Sequence, residues 1–397
     1  MIPHPIRVLH INAVETSNYY LNNLVDCTDA NDIRISAATT GSDRGFISEL
    51  QRRGVRGFAL ECHGKTKHLK ALRRLFRLVE RERPHVIHTH LFFPSLVGLA
   101  VAKQFGLHAV VTRHHSDAIH RLPTSKRFIY RKLENWINRT ADHIMAPSLV
   151  VQEILTRREG VPESKVSLIP YGQTKARFDS VKPKQVAEMR RALDMDDGLA
   201  FVCVSRFHPE KGHRYLFEAF AKLLRSEVRA RLYLLGEGAE LAALRSLAQR
   251  LGIEERIRFL GWRDDALTIV AAADVFVHPS LHEALPSAVI EAAMLEKPMI
   301  ATDVSGIRDI LGDNEHGLVV PPADSETLYR ALVETSRNLK QARRRGRLGR
   351  RHVLEYMDAN RVARDYAACY RNLWTLLQPG SVEHSAHAPG AGADLTG

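Results

Sequence analysis

The chain alternates short apolar runs with helical patterns along most of its length. In the first half, the runs typical of strands are 6–11, 33–38, 55–60, 86–89, 109–112, 142–146 and 166–169. Helical patterns lie between most of these runs, and the second half repeats the alternation up to Val320. Such alternation indicates parallel sheets with helices on both faces. The sequence therefore predicts an α/β protein built from two doubly wound, Rossmann-like domains that face each other across a cleft.

The length of the chain agrees with two domains, because 397 residues exceed one ordinary hydrophobic core. We expect an N-terminal domain at 1–178 and a C-terminal domain at 199–356. The residues between them, 179–198, are predicted to be a linker, since this stretch is polar and contains Pro183 and the charged run MRRALDMDDG.

A last helix is predicted at 357–377, where apolar residues recur at three- and four-residue spacing. These residues are Val362, Tyr366, Cys369, Tyr370, Leu373 and Trp374. The spacing alone allows this helix to pack on its own domain or on the N-terminal one. The tail at 378–397 is rich in Gly, Ala, Pro and Ser and is expected to be disordered.

Composition and cysteine usage predict a cytoplasmic protein. The apolar content of 45% is that of a globular protein, and no apolar run approaches the length of a membrane-spanning helix. The first residues, MIPHPIRVLHI, lack the pattern of a signal peptide. Cys27, Cys62, Cys203 and Cys369 are scattered without C-x-x-C spacing, so we expect free thiols.

The stretch 280–300, SLHEALPSAVIEAAMLEKPMI, places Glu283 and Glu291 eight residues apart around the start of a predicted helix. Pro286 suits the first turn of that helix, where a missing N–H costs nothing. Eight helical residues span about 12 Å, comparable to the reach from a hexose across a diphosphate to a ribose. The N–H groups of the helix N-terminus form an anion site suited to that diphosphate. The pattern favours a nucleotide-sugar site, whereas the simpler interpretation is that Glu283 complements the helix dipole and Glu291 is solvated.

A second polar element follows the apolar run 199–204. Arg206 and Lys211 are predicted at the carboxyl end of this strand, the edge where open α/β sheets bind ligands. Two fixed cations there can neutralise a diphosphate leaving group, a task that other enzymes give to a divalent metal. We therefore expect no metal, and no cofactor besides the nucleotide-sugar substrate. The alternative is an ordinary exposed loop in which Gly212 opens the next helix.

Three motifs together resemble one family. They are S-R-F-x-P-E-K-G from Ser205 to Gly212, E-x7-E from Glu283 to Glu291, and ATDVSGIRDILGDNEHGLVVPPAD from Ala301 to Asp324. The chain is similar to retaining glycosyltransferases of the GT-B fold, family 4, from near Ile6 to about Trp374, and most strongly in its C-terminal half.

The resemblance implies a role for each motif residue. The basic pair Arg206 and Lys211 binds the donor diphosphate, Glu283 contacts the transferred sugar, and Glu291 holds the ribose. The remaining donor-binding residues are expected to be Gly236, Leu260, Leu285, Pro286 and Ser287. The resemblance also implies that the terminal helix crosses back to the N-terminal domain.

The N-terminal half carries the acceptor site in this fold, and its signals are weaker. The segment 85–117 resembles the family pattern in which a strand ends in T-x-H, and His114 matches that histidine. A neutral imidazole there could position the acceptor hydroxyl or bond the donor sugar, so His114 is a predicted catalytic residue. His115 is its neighbour, while His88 and His90 are expected to support the cleft or pack. Because the chain has 20 histidines, a structural role is the alternative for any one of them.

Two departures from the family pattern concern this half. The glycine-rich loop that many members have after the first strand reads NAVETSNYY here, and we expect the hydroxyls of Thr16 and Ser17 to replace it. The aspartate that follows the family's IPxG is absent from IPYGQT at 169–174. The missing glycines also argue against an NAD site, and the lone G-x-G of Gly236 and Gly238 is interpreted as a turn near the donor.

The net charge of +12 is densest from Lys65 to Arg83, KTKHLKALRRLFRLVERER. The leucines of this segment fall along one helical stripe, and most cations fall away from it. A core-packed helix with a solvated basic face is the ordinary interpretation. The functional one is reversible attraction to anionic lipid headgroups, which would bring a lipid-linked acceptor near the cleft. Nucleic acid is not an expected partner, since neither aromatic interleaving nor a recognised binding motif is present.

The sequence thus predicts a retaining hexosyltransferase, peripheral on the inner face of the membrane. It would move a sugar from a UDP- or GDP-sugar to a lipid-linked or small glycan acceptor in cell-envelope polysaccharide synthesis. Two alternatives stay open: a sugar-nucleotide epimerase on the same fold, and a catalytically silent nucleotide-sugar-binding protein. The joint presence of S-R-F-x-P-E-K-G and E-x7-E fits the transferase better.

Overall fold

The computed structural model describes residues 3–16, 18–62, 67–114 and 124–375. Within these ranges the chain forms two parallel β-sheets, one of seven strands and one of six. Each sheet separates two apolar clusters, because helices cover both of its faces. The predicted pair of doubly wound, Rossmann-like domains is confirmed.

The N-terminal sheet is made of the first seven strands. They are β1 (Ile6–Asn12), β2 (Ile33–Thr39), β3 (Arg56–Ala59), β4 (Val86–His90), β5 (His108–Thr112), β6 (His143–Ala146) and β7 (Val166–Leu168). The strand order is β3-β2-β1-β4-β5-β6-β7, and each neighbouring pair is parallel. The connecting helices are α1 (Tyr19–Asp26), α2 (Phe46–Arg52), α3 (Lys67–Glu82), α4 (Phe92–Phe105), α5 (Thr124–Thr140) and α6 (Leu149–Glu153).

The C-terminal sheet repeats this plan with six strands. They are β8 (Leu199–Val204), β9 (Ala230–Leu235), β10 (Ile257–Gly261), β11 (Val275–His278), β12 (Met299–Thr302) and β13 (Leu318–Val320), in the order β10-β9-β8-β11-β12-β13. Two helices precede this sheet, α7 (Lys175–Asp179) and α8 (Pro183–Ala192). Its other helices are α9 (His213–Arg225), α10 (Leu241–Arg250), α11 (Ala266–Ala272), α12 (Ser287–Met294), α13 (Ile307–Leu311), α14 (Ser325–Arg337) and α15 (Leu339–Tyr356).

The central strands of the two sheets differ in composition. β8, LAFVCV, is apolar throughout because both of its faces are covered. β4 is buried at all of its five positions, yet it ends in His-Thr-His. Polar side chains are therefore enclosed at the carboxyl end of the N-terminal sheet, where a ligand site of this fold class lies.

The segment expected to be a linker, 179–198, is mostly helical. The side chains of Val186, Met189 and Leu193, in and just after α8, pack against the apolar cluster beneath the C-terminal sheet. The hydroxyl of Tyr233 in β9 donates to the Leu193 carbonyl oxygen at 2.9 Å. This segment therefore packs as part of the C-terminal domain.

The last helix, α16 (Ala359–Thr375), crosses back to the N-terminal domain. Its apolar face joins the cluster formed by Ile6, Leu21 and Phe46, and its buried members are Val362, Ala363, Tyr366, Ala367, Cys369, Tyr370 and Leu373. Burial of each large side chain stabilises this docking by roughly 2 kcal/mol. The crossing predicted from the family resemblance is confirmed. The side chain of Trp374 and the tail at 378–397 lie outside the described residues.

The two domains also contact through loops at the carboxyl ends of their strands. The backbone N–H of Leu149 donates to a carboxylate oxygen of Asp309 at 3.1 Å. A Cβ atom on Gly306 would lie 3.0 Å from that of Ser148 and 2.7 Å from the Ala284 carbonyl oxygen, so glycine permits this approach.

The four cysteines are free thiols, as predicted. Within the described ranges, no helix is both long and apolar enough to cross a membrane.

Candidate functional site

The two motifs predicted to bind the donor meet at an ion pair between Lys211 and Glu283. The Lys211 ammonium donates to Glu283 Oε1 at 2.6 Å, and each side chain is only 12% exposed. His278, the last residue of β11, lies with its Nε2 2.8 Å from the same oxygen. A buried carboxylate is thus held by a cation and an imidazole.

The ionisation of Glu283 follows from these contacts. Burial by itself would raise the pKa of this carboxyl, but the His278 hydrogen bond and the Lys211 charge outweigh it and lower the pKa to about 2. Glu283 is therefore a fixed negative charge at neutral pH.

Gly212 explains how Lys211 reaches this position. Its φ is +65°, and a Cβ atom there would lie 2.0 Å from the Pro279 carbonyl oxygen. The Leu281 N–H also donates to the Glu210 carbonyl oxygen at 2.7 Å. The turn before α9 is therefore clasped to the loop after β11, which requires glycine after the lysine.

The lone G-x-G has a similar role in packing. Cβ atoms on Gly236 and Gly238 would lie 2.0 Å from the Ser205 carbonyl oxygen and 2.2 Å from that of Phe207. Both glycines have positive φ, so the β9 loop lies directly against the backbone that carries Arg206. Donor contact by Gly236 stays a prediction.

Arg206 is not held in the way that Lys211 is. Its side chain is 77% exposed, and its guanidinium lies 3.6 Å from a carboxylate oxygen of Glu210. Of the two fixed cations that the sequence predicts, only Lys211 is held in place by a short contact, and Arg206 lies exposed on the surface.

The N-terminus of α12, four residues after Glu283, has the free N–H groups of an anion site. The helix begins at Ser287, with Glu291 inside it and Pro286 as its N-cap. Pro286 was expected in the first turn, but its ψ of 110° is extended, so it precedes the helix. No side chain caps this end of the helix, which leaves its N–H dipoles oriented toward the loop of Glu283.

The two predicted leucines of the donor site serve the core as well. Leu285 is 5% exposed and belongs to the apolar cluster beneath the sheet, and the half-buried Leu260 packs against that cluster. Donor contact by either leucine stays a prediction.

Glu291 bonds to a residue that the sequence did not single out. Its Oε1 accepts from Arg177 in α7 at 2.7 Å. The Arg177 guanidinium lies 4.7 Å from the centre of the Tyr19 ring and 5.2 Å from that of Phe178. Tyr19 in α1 also hydrogen bonds Ser287. The predicted ribose carboxylate is therefore surrounded by groups from both domains, because Tyr19 belongs to the N-terminal one.

On the N-terminal side, His114 is buried and both of its ring nitrogens have partners. Nδ1 lies 2.7 Å from the Tyr171 hydroxyl, and Nε2 lies 2.9 Å from His90 Nδ1 and 3.3 Å from the Tyr20 hydroxyl. His115 lies outside the described residues. Tyr171 therefore lies in direct hydrogen-bond contact with the predicted catalytic histidine.

Tyr171 connects the two halves of the site. Its ring stacks on Tyr20 with centres 4.9 Å apart, and it packs against the apolar cluster of the C-terminal domain. Its pKa is raised well above the ordinary value, first by burial and then by neighbouring groups that include Glu283. A neutral phenol thus lies within electrostatic range of the donor-side carboxylate.

The departures from the family pattern have local replacements. The side chain of Asn12 accepts from the N–H groups of Ala13 and Val14 at 2.8 and 3.2 Å, which supports the loop that lacks glycine. Thr16 is exposed, and Ser17 lies outside the described residues. Gln173, at the position after IPYG, donates its backbone N–H to the Met357 carbonyl oxygen at 2.7 Å. That contact ties the segment to the start of the terminal helix.

The sequence motifs do not single out five residues of this region: His278, Arg177, Tyr19, Tyr20 and Tyr171. His278 ends a strand and Tyr171 lies in IPYGQT, so the sequence carries a local signal for both. Arg177 and the tyrosine pair have no local signal, because only the docking of α1 and α7 on α12 brings them to the site.

Comparison with known proteins agrees with this arrangement. Residues 198–338 match the family model described as glycosyl transferases group 1, and residues 16–172 match the glycosyl transferase 4-like domain. The UDP-Gal:alpha-D-GlcNAc-diphosphoundecaprenol alpha-1,3-galactosyltransferase of Escherichia coli is 26% identical over 275 residues, which cover 68% of this chain and 71% of that protein.

Solved structures share the fold. The crystal structure of Anabaena Alr3699/HepE in complex with UDP-glucose superposes with a TM-score of 0.80 at 18% identity, covering 92% of this chain and 99% of that one. Sucrose-phosphate synthase from Thermosynechococcus elongatus gives 0.80 at 23% identity, covering 93% and 100%. The two family matches cover one domain each, both superpositions include the two domains that form the cleft, and this chain belongs to the group 1 glycosyltransferases of GT-B fold.

Proposed function

We propose that this protein transfers a hexose from a UDP- or GDP-sugar to a lipid-linked or small glycan acceptor, with retention of anomeric configuration and without a metal ion. The observation that carries this proposal is the buried Lys211–Glu283–His278 cluster beside the N-terminus of α12. Charges of both signs lie there next to an anion site, as a sugar diphosphate requires.

The donor diphosphate would lie between the N-terminus of α12 and Lys211. Negative charge grows on the leaving diphosphate as the glycosidic bond breaks, and a preorganised cation stabilises that charge without solvent reorganisation. The exposed Arg206 would approach from the surface side. Lys211 is then the main electrostatic group, and Arg206 has the smaller effect.

The donor sugar would contact Glu283. Because this carboxylate is ionised and fixed by two partners, its oxygens can accept hydrogen bonds from sugar hydroxyls in a set direction. It would therefore select which hydroxyl pattern fits, and would thereby define the hexose.

The ribose would be bound by Glu291, whose carboxylate already bonds to Arg177 at 2.7 Å. A carboxylate has about four lone-pair sites, so it can accept from Arg177 and from a ribose hydroxyl together. Tyr19, which also bonds Ser287, would close the nucleotide side from the N-terminal domain.

The acceptor would enter from the side of Tyr171 and His114. The E. coli relative is named for a substrate linked to diphosphoundecaprenol, and this supports a lipid-linked acceptor. The enzyme would then work at the inner face of the membrane.

A basic surface with exposed apolar residues supports membrane contact. In α3, Lys70, Arg73 and Arg77 are exposed, and so are Leu69 (50%) and Leu72 (38%). The whole leucine stripe was expected in the core, but Leu69 and Leu72 lie outside the buried face of α3, which is formed by Ala71, Leu75, Leu78 and Val79. In α5, which the sequence did not single out, Phe128 and Ile129 are each 59% exposed. Lys65 lies outside the described residues.

The direct test is a screen of UDP- and GDP-sugars for nucleotide release and for transfer to undecaprenyl-diphosphate-linked GlcNAc. We expect one donor to give transfer, a product whose anomeric coupling constant matches that of the donor, and no loss of rate with EDTA. Epimerised donor without transfer would indicate the epimerase, and binding without turnover would indicate a silent protein. Loss of rate in EDTA, with rescue by Mn²⁺, would contradict the metal-free part.

A further inference from the structure

Four histidines converge in the core of the N-terminal domain. His10 lies near the carboxyl end of β1, His88 and His90 lie in β4, and His114 follows β5. All four side chains are buried. Imidazoles are rarely enclosed in such numbers, because each ring brings two nitrogen atoms that need partners.

The four rings and three hydroxyls form one continuous hydrogen-bonded chain. At the inner end, Thr112 Oγ1 lies 2.7 Å from His88 Nε2. The other nitrogen of that ring, His88 Nδ1, lies 2.6 Å from the Tyr370 hydroxyl, which lies 3.2 Å from His10 Nε2. The chain continues from His10 Nδ1 to His90 Nε2 at 2.9 Å, from His90 Nδ1 to His114 Nε2 at 2.9 Å, and from His114 Nδ1 to the Tyr171 hydroxyl at 2.7 Å. Tyr370 belongs to the crossing helix α16, so the chain links that helix to the cleft.

The geometry restricts where the protons lie. A neutral imidazole has one N–H and one bare nitrogen, and a hydroxyl has one O–H to donate. Every contact between two rings joins Nδ1 of one to Nε2 of the other, and Tyr370 joins His88 Nδ1 to His10 Nε2. If one ring carries its proton on Nδ1, the next ring must carry its proton on Nδ1 as well. Otherwise two N–H groups, or two bare nitrogens, would face each other.

We propose that the four histidines share one tautomer, all Nδ1–H or all Nε2–H, and that this shared state positions His114 and Tyr171 at the acceptor side of the cleft. With Nδ1–H, His114 donates to the Tyr171 oxygen, and the Tyr171 O–H is left to donate into the cleft. With Nε2–H, Tyr171 donates inward and offers a lone pair instead. His10, His88, His90 and Tyr370 are thus positioning residues that act through His114.

Burial keeps His10, His88 and His90 neutral. It lowers the pKa of His10 to about 3, and it lowers the pKa of His88 and His90 well below the ordinary value, with the neighbouring imidazoles adding to the effect for both. A protonated ring would carry two N–H groups and would break the single direction of the chain.

A metal ion is the competing explanation for three of these rings. His10, His88 and His90 have ligand nitrogens within 4.8 Å of one another. However, the hydrogen bonds above use all six nitrogens of these rings, and an imidazole cannot bond a metal and a hydrogen-bond partner through the same lone pair. Purified protein incubated with Zn²⁺ and dialysed should therefore retain no equimolar zinc, and one zinc per chain would overturn the proposal.

The tautomer is measured on the wild-type protein by ¹⁵N NMR of histidine-labelled samples, since protonated and bare ring nitrogens have different shifts. Each signal is assigned with single His→Gln variants. We expect the four buried rings to give the same pattern, with protons on the same nitrogen. A mixture of Nδ1–H and Nε2–H rings among the four would overturn the proposal whether or not the protein is a transferase.

The effect on function rests on the proposed transferase activity and is tested by Tyr370→Phe, which interrupts the chain while keeping the ring. We expect the His114 signals to report two tautomers, kcat for transfer to fall about tenfold, and the nucleotide dissociation constant to stay unchanged. The matched control is Tyr233→Phe, which removes another buried tyrosine hydroxyl but lies in the C-terminal domain. It should alter stability without moving the His114 signals.

A second variant tests the same proposal if Tyr370→Phe folds poorly. Thr112→Val removes the inner end of the chain, and Thr89→Val, a buried threonine of β4 bonded to Ser95, is its control. Unchanged kcat and unchanged His114 signals in Thr112→Val or Tyr370→Phe would remove the positioning role. If the wild type binds no nucleotide, the proposed function fails, while the NMR result still decides the tautomer.

Discussion

The two sides of the cleft are built by different means. The proposed donor side comes from two short motifs, each continuous in sequence, joined by the Lys211–Glu283 ion pair and the Gly212–Pro279 backbone contact. The proposed acceptor side is assembled from Tyr20, His114 and Tyr171, together with Tyr370 of α16, a helix that lies far from all three in sequence. One side is defined by local sequence and the other by tertiary packing.

This difference determines what each side tolerates. On the donor side a single substitution removes a charge from a fixed site, so effects on chemistry should be large and confined. On the acceptor side each group bonds to the next, so effects should spread and be smaller for any one residue. The predictions below test that contrast, beginning with the largest expected effect.

Lys211→Ala should lower kcat about 100- to 1000-fold, the usual loss when one preorganised group that stabilises transition-state charge is removed. Lys222→Ala is the matched control, because Lys222 also bonds a glutamate of the same domain, Glu326, at 2.8 Å but lies on α9 away from the cleft. Turnover is measured at saturating donor. Equal loss in both variants would mean that Lys211 acts through stability, and an unchanged kcat would remove it from the donor site.

Glu291→Ala should weaken nucleotide binding about 10- to 100-fold, since hydrogen bonds to charged groups contribute roughly 1.5–3 kcal/mol. Calorimetry with UDP and GDP measures this effect. The variant also breaks the ion pair with Arg177, so Arg177→Ala is the necessary partner experiment: it breaks the same pair but keeps the carboxylate. If Arg177→Ala reproduces the full loss, Glu291 orders the interface and does not bind the ribose.

The same contrast explains what the sequence could predict. Alternating apolar runs predicted both sheets, because strand and helix periods are local properties. S-R-F-x-P-E-K-G and E-x7-E predicted Lys211 and Glu283 in one donor site but not their ion pair, and each motif includes the glycine or helix start that positions its residue. Tyr19, Arg177 and the partners of His114 were missed because they meet only after α1, α7 and α16 dock, and no local pattern records that docking.

The acid stability of the protein should depend on Glu283. The pKa of Glu283 is about 2 in the folded protein and 4.5 without these contacts. The ion pair therefore contributes fully to the free energy of unfolding above pH 4.5, and this contribution is lost as the pH falls toward 2. When the pH is lowered from about 5 to about 3, the free energy of unfolding measured with urea should fall on the order of 2 kcal/mol more for the wild type than for Glu283→Gln. Glu254→Gln, in an exposed turn, is the control and should follow the wild type. Parallel slopes for Glu283→Gln and the wild type would mean that the ion pair is not held in solution.

Membrane contact should produce the smallest effect, because each exposed cation contributes about 1 kcal/mol at most near an anionic surface. Wild-type protein should sediment with phosphatidylglycerol vesicles at low salt and be released as the Debye length falls below about 10 Å. Replacing Lys70, Arg73 and Arg77 by Gln should reduce this binding. Arg74 is kept, since its guanidinium bonds the Leu60 carbonyl oxygen and supports the fold.

The C-terminal domain offers a charge-matched control for this experiment. Lys340, Arg344 and Arg347 are also one lysine and two arginines exposed on a basic helix, α15, so their replacement by Gln removes the same charge from the other domain. If both triple variants lose binding equally, net charge alone drives association and the N-terminal domain has no special face. If only the α3 variant loses it, Phe128→Ser with Ile129→Ser then tests for insertion of these two side chains. The double variant should leave the vesicles at a lower salt concentration than the wild type, because apolar burial is not screened by ions.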